Sequence, residues 1–323
     1  MKKIIFHHAG KPADILKLEQ AEIPQYGPDD VLIKVIASPI NPSDMMFVQN
    51  LYGIRPQFPS PAGFEGVGTV VEKGENVKIA VGTRVSFTGI GAWAEYTVTN
   101  HRTLMPVPDA MPDDVAAQLF VNPFTAVSMV EDSGVKEGEW LMVTACGSAL
   151  GKMVIQLCKM RGIKTIGTVR RDDINDEIRD MGVTEIVNTS QPNWSKQVQK
   201  LTDYKGVKAV LECVGGATTE EAINCMSRGG LMLIYGLMSL DNPALNIGTM
   251  IFKELTIKGF WLTEWMKNAT AEMRSKLAIE VIGLLASGKI QLPIEANYGL
   301  DDIAAAVTHA DTPGRFGKIL IKP

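Results

Sequence analysis

The first third of the chain is built of short apolar runs separated by proline and glycine. Val31–Ala37 alternates loosely between apolar and polar positions and reads as a strand. Gly66–Val71 and Arg84–Phe87 do the same, and Ala94–Val98 follows a turn at Gly89–Gly91. Short strands at turn-marked intervals predict a β-rich, barrel-like domain over residues 1–122. From Trp140 the rhythm changes. Trp140–Ala145 is an apolar strand, Gly151–Met160 a helix stopped by Arg161-Gly162, and Lys164–Val169 the next strand. The alternation continues with a helix at Asp173–Met181, a strand at Glu185–Val187, a helix at Trp194–Leu201 and a strand at Lys208–Val214. A helix at Thr218–Ser227 and strands at Leu231–Tyr235 and Leu255–Trp261 follow. This pattern implies a parallel sheet with helices on both faces, a doubly wound α/β domain over residues 123–266. Ala269–Ala286 is expected as one long amphipathic helix with Met273, Leu277, Val281, Leu284 and Leu285 on one side. Asp301–His309 reads as another helix and Lys318–Ile321 as a closing strand. Residues 267–323 are therefore expected to return to the first domain.

Composition narrows the function classes. The 323 residues are 46% hydrophobic, enough for two domains of ~100–200 residues each. Lys and Arg number 32 against 36 Asp and Glu, and no basic tract stands out, which argues against a nucleic-acid partner. Apolar stretches end well before the ~20 residues of a membrane span. At the start of the chain only Ile4, Ile5 and Phe6 precede His7 and His8, too little for a secretory signal, so the cytoplasm is the expected compartment. Cys146, Cys158, Cys213 and Cys225 form no C-x-x-C pair and read as reduced thiols in or near the core. His7, His8, His101 and His309 are scattered, so no metal is assigned.

The candidate chemistry sits at Thr144–Gly151, directly after a strand and opening a helix. Small residues there let the backbone approach a pyrophosphate, and the helix N-terminus offers N–H groups and partial positive charge. A strand-to-helix turn of this composition can also bind nothing; its place as the first crossover of the alternation favours a Rossmann dinucleotide site. Arg170 and Arg171 stand roughly 20 residues after Gly151, at the end of the second strand, where an acid would select NAD and arginine suits the 2′-phosphate of NADP. A solvated surface pair is the alternative at that place, and Asp172 and Asp173 follow directly.

Several segments resemble the medium-chain dehydrogenase/reductase family, which includes zinc alcohol dehydrogenases and quinone reductases. They are Asn41-Pro42-Ser43-Asp44, Gly63-Phe64-Glu65-Gly66-Val67-Gly68, Gly147–Gly151, Val214-Gly215-Gly216 and Gly317-Lys318. The resemblance implies a GroES-like barrel domain beside the Rossmann sheet. Asn41 and Phe64 stand where the zinc members carry Cys and His, which implies a zinc-independent member. Three segments look more specifically like the 2-enoyl thioester reductases: Asn41–Asp44 running on to Leu51-Tyr52-Gly53, Val121–Ala126, and Ile251–Lys253 running to Gly259–Thr263. Ala149 and Leu150 depart from the Gly and Val of many relatives.

By that similarity Tyr52 matches the catalytic tyrosine. Asn122, with Thr125 of the same segment, falls near the nicotinamide. Gly147, Ser148, Ala149, Leu150 and Gly151 match the phosphate turn, and Arg170 and Arg171 the 2′-phosphate contacts. Tyr235, Gly236, Phe260 and Trp261 match loops lining the nicotinamide, and Lys318 a C-terminal contact. From the residues alone, Tyr52 would be a loop-packing side chain and Phe260 and Trp261 core aromatics. The implied activity is NADPH-dependent reduction of a C=C bond conjugated to a carbonyl, in a small-molecule substrate carried on CoA or an acyl carrier protein. A quinone or 2-alkenal reductase, and a non-catalytic NADPH-binding protein, are the alternatives. Leu255–Trp261 as an apolar edge strand predicts a homodimer formed by two-fold pairing.

Overall fold

The computed structural model describes residues 1–323. Parallel strands β1 (Trp140–Val143), β2 (Lys164–Val169), β3 (Glu185–Asn188), β4 (Val207–Glu212), β5 (Met226–Ile234) and β6 (Thr256–Gly259) form one six-stranded sheet. Their order is β3-β2-β1-β4-β5-β6. The chain starts at the centre, runs out to one edge, then returns and fills the other half, which creates a switch point between β1 and β4. Register explains why these strands pair. Ile166, Met142, Val210, Met232 and Ile257 lie side by side across five strands. The first four are fully buried and pack with Trp194, Val198, Ala222 and Ile223 of the covering helices. Each such side chain contributes about 1.5–3 kcal/mol of transfer free energy, so a slip of one residue would forfeit the row.

Residues 122–281 form the unit around this sheet, and residues 1–121 with 282–323 form the other. The second boundary differs from expectation, because residues 267–281 group with the parallel sheet. The expected long helix is present as Ala271–Ala286, and a separate helix, Leu262–Asn268, precedes it across a break at Ala269. Arg274 donates to the carbonyls of Met266 and Ala269 at the break, and Glu280 pairs with Arg161 at 2.7 Å. These bonds hold the start of the second helix to the parallel-sheet unit. Leu277, Val281 and Leu285 are its buried stripe, whereas Met273, in the first turn, is exposed. Helices Val121–Asp132 and Ile247–Lys253 are additional to the sequence reading.

In the other unit, the mainly antiparallel sheet runs Ile294–Tyr298, Lys318–Ile321, Asp30–Pro39, Glu65–Lys73, Arg84–Thr88, Leu104–Pro106, with Tyr96–Asn100 also on Asp30–Pro39. Leu320 pairs with Pro39 and Ile321 with Ser38, so the closing strand does return to the first domain. Phe6, Phe47 and Trp93 centre its core with Ile303, Val307 and Ile319. No helix of the chain is long and apolar enough to cross a membrane.

Candidate functional site

The expected cofactor residues of the parallel-sheet unit gather mainly where its strands end. β1 ends at Val143, beside Gly167 of β2 and Leu211 of β4, and β5 ends beside β6 at Ile234 and Gly259. The Gly147–Gly151 turn, Arg170, Tyr235 and Phe260 each lie just beyond such an end, which is the crevice where open α/β sheets bind ligands.

The turn between β1 and α1 (Ala149–Met160) is tightly determined. Ala145 takes φ 46°, a left-handed conformation costly for a residue with a β-carbon, and its carbonyl accepts the Ser148 N–H at 2.9 Å. Ser148 is the N-cap, its Oγ accepting the Gly151 N–H at 3.1 Å. The cap explains why the helix starts at Ala149, ahead of the expected Gly151. A β-carbon on Gly151 would lie 2.6 Å from the Cys146 carbonyl oxygen, and one on Gly147 2.6 Å from Ile174 Cδ1. At Gly151 the close neighbour is backbone, so glycine is required there; at Gly147 it is the tip of a side chain that packs over the turn. The result is a capped helix N-terminus behind backbone free of side-chain bulk, which fits the pyrophosphate of a dinucleotide.

Arg170 is exposed at the end of β2, and Arg171 Nε pairs with Asp173 at 2.9 Å. Asn122 and Thr125 are buried in the first turns of Val121–Asp132. Tyr235 has its hydroxyl enclosed beside Cys213, and burial holds that hydroxyl well above its ordinary pKa. A β-carbon on Gly236 would meet Cys213 Cβ at 2.8 Å. Phe260 is buried, its N–H donating to Ile234, and Trp261 caps the helix Leu262–Asn268. All four cysteines are buried, and burial pushes the Cys146 thiol to about 12 and the Cys213 thiol to about 11.

Tyr52 and Lys318 belong to the other unit. Tyr52 follows the helix Pro42–Val48, half-buried, its ring 5.4 Å from Phe64, which in turn lies 5.0 Å from Phe47. Lys318, expected as a cofactor contact, is 4% exposed, and its Nζ donates to Asn41 Oδ1 at 2.6 Å. Asn41 Nδ2 donates to Glu65 Oε1 at 2.7 Å, and the Asn41 N–H to Asp44 Oδ2 at 2.7 Å. Glu65 Oε2 accepts the N–H groups of Phe120 and Val121. Burial moves these charges toward neutrality. Asp44 rises to about 7, Glu65 is raised, and Lys318 falls to about 8. Sequence reasoning missed this cluster, although Asn41, Glu65 and Lys318 all lie in the segments that carried the resemblance. It also missed Glu212, buried at the end of β4, whose Oε1 accepts from the N–H groups of Val214 and Gly215. An acid two residues before Val-Gly-Gly at a strand end was the available signal.

Comparison with known proteins places these observations. The family model described as zinc-binding dehydrogenase matches residues 149–278, and that described as alcohol dehydrogenase GroES-like domain matches residues 27–109. The human mitochondrial enoyl-[acyl-carrier-protein] reductase is 31% identical over 97% of this chain and 86% of its own length. The Escherichia coli quinone oxidoreductase complexed with NADPH superposes with a TM-score of 0.93, 25% identity and full coverage of both chains. A complex of Etr1p with NADP and crotonyl-CoA superposes with a TM-score of 0.87 and 25% identity, covering 100% of this chain and 99% of that one.

Proposed function

The chain belongs to the medium-chain dehydrogenase/reductase family, and from that membership we propose that it reduces the C=C bond of a 2-enoyl thioester with NADPH. It is an NADPH-dependent oxidoreductase. The thioester substrate rests on one observation, the 31% identity to an enoyl-[acyl-carrier-protein] reductase over 97% of the chain. The neighbour complexed with NADP and crotonyl-CoA supports it.

The zinc of the family description does not fit this chain. The Asn41 carboxamide is engaged by Lys318 and Glu65, and Phe64 offers only a hydrocarbon ring. No group of three His, Cys, Asp or Glu side chains converges elsewhere. A conjugated carbonyl is itself an electron sink, so the proposed reduction runs without Lewis-acid help. NADPH, when bound, supplies a hydride for the β-carbon. Negative charge then develops on the thioester oxygen, and the α-carbon takes a proton. The proton would come from Tyr52, whose phenol is protonated at neutral pH and would be left as a phenolate that solvent reprotonates, or from water directly. The Gly147–Gly151 turn would hold the pyrophosphate, and Arg170 and Arg171 the 2′-phosphate. Asn122, Thr125, Tyr235, Gly236, Phe260 and Trp261 would line the nicotinamide half. The acyl group would arrive on CoA or an acyl carrier protein, and two chains would pair along β6.

A quinone acceptor is the second reading, favoured by the superposition on the quinone oxidoreductase. NADPH consumption separates the two. Turnover of crotonyl thioester in large excess over benzoquinone or naphthoquinone supports the proposal; turnover of quinone alone replaces it with the second reading.

A further inference from the structure

Lys152 stands in the first turn of α1, 2% exposed, and its ammonium is ion-paired with Glu177 of α2 (Asn175–Asp180). Its neighbours Gly151, Met153, Val154 and Ile155 are all buried. Desolvating a charge in such surroundings costs more than a surface pair returns, and an apolar side chain would pack there more cheaply. The pair therefore calls for a role other than stability.

What it holds together is informative. Ile174, Glu177 and Ile178 share one side of the chain at i, i+3 and i+4 spacing. Ile174 Cδ1 fills the space that a β-carbon on Gly147 would need, and Ile178 Cδ1 lies 3.6 Å from the same point. The start of α2 is thus held to the Gly147–Gly151 turn by Ile174 and Ile178, and to Lys152 directly after that turn by the ion pair. Immediately before it runs the loop Arg170–Asp173. Asp172 accepts from Asn175 twice, from the N–H through its carbonyl and from Nδ2 through Oδ1, both at 3.2 Å. The loop therefore hangs on α2, and α2 on the turn.

We propose that the Lys152–Glu177 ion pair is a positioning device that keeps the Arg170–Asp173 loop in register with the Gly147–Gly151 turn, and so sets how strongly the protein prefers NADPH over NADH. This rests on reading the turn as the pyrophosphate site and Arg170 as the 2′-phosphate ligand. The pyrophosphate and the 2′-phosphate are joined through one ribose of fixed dimensions. Both are held at once only if turn and loop keep a fixed separation. NADH has no 2′-phosphate and makes no such demand, so loosening α2 selectively weakens NADPH.

The test is a pair of calorimetric titrations, NADPH and NADH, on the full-length protein without substrate. Glu177→Gln is the principal variant, since Glu177 is partly exposed and glutamine still accepts from Lys152; Lys152→Met is the second. Each is expected to raise the Kd for NADPH about tenfold and to leave the Kd for NADH within about twofold. Arg170→Ala runs alongside as the reference for losing the 2′-phosphate contact. If Arg170→Ala erases the preference while Glu177→Gln leaves the ratio of the two constants unchanged, the pair is only structural and the inference is overturned. Equal weakening of both cofactors overturns it as well. A preference indifferent to Arg170→Ala removes the site reading, and the inference with it.

Discussion

Asp44 illustrates how burial becomes a pH dependence. One of its oxygens accepts from the Asn41 N–H, and the side chain is almost fully enclosed. Burial raises its pKa from 3.8 to about 7. A carboxyl whose pKa is raised on folding binds its proton more tightly in the native state. Its contribution to stability is therefore complete below about 4 and is lost as pH rises through about 7. Asp44→Asn mimics the protonated form. It should match the parent protein in denaturant titrations near pH 4 and exceed it by a growing margin as pH rises to 8; superimposable pH profiles would contradict this. Tyr52→Phe keeps the ring against Phe64 and removes the donor. It should lower kcat on an enoyl thioester by about 10²–10⁴-fold with little change in Tm or NADPH affinity; near-normal kcat would leave Tyr52 a packing residue. The Gly147–Gly151 turn was legible in the sequence because its residues are contiguous and follow an apolar strand. The Asn41–Glu65–Lys318 cluster was not, because Lys318 and Asn41 are 277 positions apart and only folding brings them together.

At the scale of elements, the strand–helix alternation could be read because each parallel strand is a short apolar run closed by a turn signal. The helix Val121–Asp132 could not be read by periodicity. It is buried continuously from Asn122 to Val130, so it has no polar face to set a period. The short helix Leu262–Asn268 was hidden for a different reason: it has no buried residues and so no apolar face to set a period, and Arg274 closes its end by folding back onto the carbonyls of Met266 and Ala269. The closing strand Lys318–Ile321 could be seen as a strand, but its anchoring could not. Lys318 ties it to the cap of Pro42–Val48 through Asn41. Lys318→Met would strand Asp44 and Glu65 as buried acids beside each other. Loss of one partner from a buried charge cluster costs about 3–5 kcal/mol, so chemical denaturation should show a loss of that size. A change under about 1 kcal/mol would mean that the cluster neutralises itself without the lysine.

For the whole molecule, β6 ends the parallel sheet and leaves one edge unpaired. The segment joining β5 to β6 exposes Leu237, Met238, Leu240, Ile247, Ile251 and Phe252, the last 80% exposed. Apolar surface beside an open edge is a pairing site unless a second chain covers it. Light scattering at micromolar concentration should therefore give twice the 35.1 kDa of one chain, and a monomer mass would contradict the pairing. The central claim concerns where the hydride goes. The most direct measurement uses NADPH carrying deuterium at the transferred position of C4, crotonyl thioester as substrate, and NMR of the saturated product. The account predicts one deuterium on the β-carbon and a solvent-derived hydrogen on the α-carbon. A product without deuterium on the β-carbon, or crotonyl thioester returned unreduced while a quinone consumes the cofactor, would contradict it.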